Sequence, residues 1–90
     1  MPREDLQAAS DALRRAASAV DDESVEERLY EQSRQMADLA TRDRGPDHGR
    51  LARHMSALDE LADATDGEAR EAVEAALEHV TAYRETVEGV

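Results

Sequence analysis

Apolar residues recur along this chain at alternating spacings of three and four, in four separate segments. Leu6, Ala9, Leu13, Ala16 and Val20 form the first stripe. Val25, Leu29, Gln32, Met36 and Leu39 form the second, with glutamine as a polar intruder. The third runs Leu51, His54, Leu58, Leu61 and Thr65, with Met55 and Ala62 beside it. Ala69, Val73, Ala76, Val80, Tyr83 and Val87 make the fourth, flanked by Leu77. Such spacing gathers one side of a helix into an apolar seam, and its near-heptad rhythm suits helices that pair lengthwise. No segment alternates with the period of two that a half-buried strand requires.

Breakers fall between the stripes. Pro2 suits a first helical position. Asp21-Asp22-Glu23-Ser24 interrupts the pattern, and Ser24 with Glu27 reads as a capping box. Arg44-Gly45-Pro46-Asp47-His48-Gly49 is the strongest break, with Asp47 as N-cap. Thr65-Asp66-Gly67-Glu68 is a short one, with a second capping-box pattern. The helices expected are roughly 3–20, 24–43, 48–64 and 67–88. Similar lengths and short connections predict an all-α protein, residues 1–90 as one helical domain. Either an up-and-down four-helix bundle or two helical hairpins completing a bundle in a dimer satisfies the pattern. The expected core is Leu13, Leu29, Met36, Leu58, Leu61, Val73, Leu77 and Val80.

Composition qualifies this picture. Of 90 residues, 17 are Ala and 14 are Leu or Val, while Ile, Phe, Trp and Cys are absent. On composition alone, so few large apolar residues with a net charge of -11 match a disordered chain. The periodicity argues otherwise, yet the core must be thin, and small domains of this kind commonly add oligomerisation. The charge also opposes binding to nucleic-acid phosphates or an anionic membrane surface. Without cysteine there is no disulfide, Cys-based zinc site or thiol chemistry. The longest apolar run, Ala75-Ala76-Leu77, is far too short to span a bilayer. No apolar segment follows the charged Met1-Pro2-Arg3-Glu4-Asp5 start, so no signal peptide is expected and the reading is a cytoplasmic protein.

All 11 basic residues are Arg, Lys and Asn are absent, and Ala, Asp and Glu fill 39 of the 90 positions. This composition resembles that of the small, acidic, all-helical proteins of unassigned function found in salt-loving archaea. The resemblance covers the whole chain, rests on no motif, and implies an environment of molar salt. There the Debye length shrinks to about 3 Å and a surface this acidic no longer repels itself strongly.

The residues offer little catalytic or metal chemistry. No Glu lies three positions before His48, His54 or His79, so the Glu-x-x-His pairs of di-iron bundles are missing. A calcium-loop register around Gly67 would put Ala62, Ala64 and Val73 at ligand positions. There is no nucleophile elbow and no Gly-rich phosphate loop. No catalytic residue, metal ligand or cofactor is therefore assigned, and the chain is read as a non-enzyme.

Two surface features remain. Arg42 to His54 is the one locally basic stretch; Asp38 pairs with Arg42 at i,i+4, leaving Arg44, His48, Arg50, Arg53 and His54 as candidate contacts for an anion or acidic partner near a helix N-terminus. His54 falls at the edge of its stripe, whereas His79 points toward the polar side. Tyr30 lies off the second stripe beside small residues, which makes Tyr30, Ser33 and Ala37 a candidate helix-contact surface. Two functions follow: a helical association protein adapted to high salt, most simply a homodimer through that surface, or a small anion- or ligand-binding regulator using the basic stretch.

Folding is predicted to depend on salt, because the net charge of -11 surrounds a small core. Far-UV circular dichroism should show lower helicity and a lower Tm at about 10 mM salt than at multimolar salt. Equal values in both would refute it.

Overall fold

A computed structural model describes residues 3–41 and 48–86. Helix α1 is Glu4–Ser18, α2 Glu23–Thr41, α3 His48–Asp63 and α4 Gly67–Thr86, each within a few residues of the range expected from the pattern. The expected extensions to 43 and 88, and the roles given to Pro2, Asp47 and Val87, lie outside the described residues.

The helix ends use chemistry different from that expected at two breaks. Helix α2 is capped by Asp22 and not by the Ser24–Glu27 box. One carboxylate oxygen of Asp22 accepts from the backbone N–H groups of Ser24, at 2.9 Å, and Val25, at 3.3 Å, and from the Ser24 hydroxyl at 2.8 Å. Asp22 sits at the N-cap, so its oxygen meets the orphan donors of the first turn. The Ser24 hydroxyl and those two N–H groups hold its carboxyl below the usual carboxylate range. Thr65 likewise does not cap α4. Its hydroxyl turns back onto the last carbonyls of α3, those of Leu61 and Ala62, at 2.8 and 3.1 Å. The reversal into α4 then falls on Gly67, whose φ of +55° is a left-handed conformation that a Cβ disfavours.

The four helices run up and down around one core. α1 lies against α2 and α4, α3 lies against α4, and the α2–α3 seam is the loosest of the four. The sequence explains this asymmetry. α1 buries Ala9, Ser10, Ala12, Ala16 and Ala17 besides Leu6 and Leu13. Its stripe is thus wider than the spacing alone marked, because small residues line both flanks. Backbones approach closely across such residues, and dispersion contacts replace large side chains. At the α1–α2 contact the Ser10 hydroxyl donates to the Ser33 carbonyl at 2.8 Å, deep in the protein. α2 and α3 instead bury longer side chains, Leu29, Met36 and Leu39 on α2 and Leu51, His54 and Leu58 on α3. Those hold the two helices further apart.

Of the eight expected core residues, seven are fully buried and Leu77 is partly buried at the edge. Leu6, Leu39, Leu51 and Tyr83 complete the large side chains of the interior. The radius of gyration, 12.2 Å, is that of a compact chain of this length, about 12 Å. A single chain thus packs all four helices together. Among the described residues no helix is long and apolar enough to cross a membrane.

The packing predicts opposite penalties on the two kinds of core position. Leu58→Ala should cost about 2–5 kcal/mol by leaving a cavity. Ala12→Leu should cost about 1–3 kcal/mol by forcing α1 away from its neighbours. Urea unfolding at fixed high salt measures both; an unchanged midpoint for Ala12→Leu would mean that α1 is not tightly packed.

Candidate functional site

Where α2 and α3 stand apart, the gap between them is polar. Gln32 and Gln35 of α2 face Arg50, Arg53 and His54 of α3 across a groove of about 330 Å³. Gln32 and His54 are the polar intruders of the second and third stripes. They meet at the groove floor, where His54 Nδ1 and Gln32 Oε1 lie 3.0 Å apart. An amide oxygen only accepts, so this ring nitrogen carries the proton and the other, Nε2, is left as an acceptor in the neutral ring. Among the described residues no buried side-chain nitrogen or oxygen lacks a partner. Further along the seam, Arg28 and Glu60 pair at 3.5 Å and close it on the side away from the α2–α3 connection.

His54 is only 8% exposed. Burial lowers its pKa, because the charged ring would lose hydration, and the Arg50 and Arg53 charges lower it further. The imidazole is thus neutral in neutral solution, beside two guanidinium groups. Arg53 is exposed and has no ion-pair partner among the described residues. On α2, the Gln35 amide nitrogen donates to Glu31 at 3.1 Å. The groove lies toward the start of α3, where backbone N–H groups add positive potential.

The sequence-based candidates are thus only partly united. Arg50, Arg53 and His54 share the groove; Arg44 lies outside the described residues, and His48 opens α3. Gln32 was visible as a seam intruder, and a second intruder in the next stripe was the signal that the two pair. Gln35 gave no such signal, since its position reads as ordinary surface.

Tyr30, Ser33 and Ala37 do not form one open face. Ser33 is buried against α1, its hydroxyl donating to the Tyr30 carbonyl at 2.7 Å while its own carbonyl receives Ser10. Ala37 is half-buried, and Tyr30 stands at the rim, 38% exposed, the sole large apolar side chain left out among the described residues. This side of α2 is largely occupied by α1 of the same chain. His79, expected to be exposed, is half-buried and binds Asp5 across the α1–α4 seam, Nδ1 to Oδ1 3.0 Å. Among the described residues no three metal-ligating side chains converge.

The fold and groove define a small all-helical bundle with a polar, arginine-lined groove between α2 and α3. Residues 1–86 match DUF7553, a family of unknown function, and the chain belongs to that family. No curated protein and no solved structure matches the chain.

The depressed His54 pKa makes stability pH-dependent. Below the ordinary imidazole value of 6.5 the unfolded chain takes up a proton that the folded chain refuses. Stability from His54 is therefore full above that pH and declines as pH falls through it toward the lower folded pKa. Urea midpoints of the wild type and His54→Gln between pH 8 and about pH 5 should show the wild type losing more stability on acidification. Parallel curves would show that His54 does not titrate with folding.

Proposed function

We propose that this protein is a non-enzymatic, cytoplasmic binding protein that takes a small anion, phosphate or carboxylate, in the α2–α3 groove, and that it works in a salt-rich medium. One observation carries the reading. In a chain of net charge -11, the groove juxtaposes Arg50, Arg53 and the inward-facing edge of His54. Guanidinium groups match phosphate and carboxylate oxygens with paired N–H donors. A neutral imidazole alongside adds an acceptor for a protonated oxygen and becomes a donor once an anion draws a proton onto it. In molar salt, fields fade beyond about 3 Å, so recognition rests on direct contact in the groove and not on long-range attraction. The acidic remainder of the surface keeps the protein soluble there. The association reading rests on less: among the described residues Tyr30 is the one large apolar side chain left exposed.

Titration of inorganic phosphate and sulfate at constant high chloride, followed by backbone amide NMR, tests the proposal. Shifts should centre on Gln32, Gln35, Arg50, Arg53 and His54. Arg53→Gln should weaken binding by about tenfold or more, the worth of one charge-assisted hydrogen bond. Shifts spread evenly over the arginines, or affinity unaltered by Arg53→Gln, would reject the site.

A further inference from the structure

His54 and His79 meet partners of different kinds. His79 lies against a carboxylate, its Nδ1 3.0 Å from Asp5 Oδ1 across the α1–α4 seam. His54 lies against an amide, that of Gln32. Among the described residues α3 touches only α2 and α4, so the charged groups around His54 can be named helix by helix. On α3, Arg50 and Arg53 border the same groove. Asp59 and Glu60 follow more than a turn later, Asp59 exposed and Glu60 paired with Arg28. From α4, Arg84 reaches the residue after His54, its Nη1 3.7 Å from Met55 Sδ. From α2 come Gln32 and Gln35, both neutral. The α2 carboxylates nearby in sequence are Glu31, held by Arg34 and Gln35, and Asp38, exposed a turn beyond Gln35. The ring's hydrogen bond goes to Gln32 and to none of these acids.

A proton on this buried ring therefore stands beside guanidinium groups without a carboxylate bonded to it, as Asp5 is to His79. An external anion is what its surroundings lack. The proton itself needs no rearrangement. The neutral ring donates from Nδ1 to the Gln32 amide oxygen, which accepts equally from the protonated ring. The second proton goes to Nε2, the Gln32 bond stays, and only the charge changes. An anion beside Arg50 and Arg53 supplies the compensating charge, and its effect grows with its own charge. By linkage, whatever the proton gains from the anion, the anion gains from the proton.

Resting on the anion-binding reading above, we propose that the groove takes up an anion and one proton together, the proton on His54, and that it selects doubly charged anions over singly charged ones. The protein then binds as pH falls and releases as pH rises. This is opposite to the effect of acid on the anion-free chain, where the same proton weakens the fold.

Isothermal titration of the full chain with sulfate, whose charge is fixed over the range used, tests this at constant high chloride. Sulfate should bind about tenfold more tightly near pH 5.5 than near pH 8, the equivalent of about one unit in the pKa of the ring. Runs near pH 6.5 in two buffers of different ionisation enthalpy should show proton uptake approaching about one per anion. Nitrate should bind more weakly and draw fewer protons. His54→Gln, checked for native helicity, should lose the pH dependence and the uptake. The wild type gives a second readout: on adding sulfate, the ring-nitrogen NMR signals of His54 should move to the imidazolium position while those of His79, bound to Asp5, stay. If sulfate binds equally at both pH values without proton uptake, or nitrate binds as tightly as sulfate, the inference fails and the anion-binding reading stands. If neither anion binds at any pH, both fall.

Discussion

The close approach of α1 to its two neighbours is the contact on which the rest of the bundle depends. With 14 Leu and Val in 90 residues, this chain cannot fill a wide interior. It fills a narrow one, and four buried alanines of α1 make that possible by letting α2 and α4 close in on both flanks. Four helices around a common axis cannot all be drawn to one side, however. The larger residues collect on α2 and α3, and their seam remains the loosest. Its open stretch is filled with polar side chains because the chain has no apolar ones to spare. The groove is thus a consequence of how a scarce apolar supply is distributed, with chemistry placed where packing runs out.

Electrostatics follows the same division. Some carboxylates serve the helix ends and seams, as Asp22, Asp5 and Glu60 do, while Arg50, Arg53 and His54 meet at the α2–α3 groove. A buried ring flanked by two guanidinium groups disfavours its own protonation. Under the proposed function, an anion bound beside Arg50 and Arg53 would compensate the same charges and favour ring protonation, which would link binding to proton uptake at His54.

Most of the architecture was legible in the sequence. The apolar spacing located the four helices, and the mid-helix residues on each seam, such as Leu13, Leu58 and Val80, are buried as expected. What failed to read were side chains whose role is decided by competition between neighbours, in sequence or across helices. Ser24 and Thr65 both fit capping patterns, yet Asp22 reaches the α2 donors first and Thr65 finds the α3 carbonyls closer. Ser33 read as a helix-contact position without saying which helix, since its own helix does not distinguish α1 of the same chain from a second copy. The width of the α1 stripe was likewise hidden, since alanine at a flank looks the same whether it meets solvent or a backbone. The site was half legible: its arginines and histidine stood out by local charge, whereas Gln35 acquires meaning only opposite α3.

The Asp5–His79 bond joins the first turn of α1 to the second half of α4. With four helices running alternately up and down, the chain enters and leaves the bundle at one end, the same end at which residues 42–47 link α2 to α3. The opposite end holds only the two short turns before α2 and α4. The start of α1 and the end of α4 therefore lie close enough for a short peptide to join them, and new ends opened at residues 64–66 would then emerge at the opposite pole.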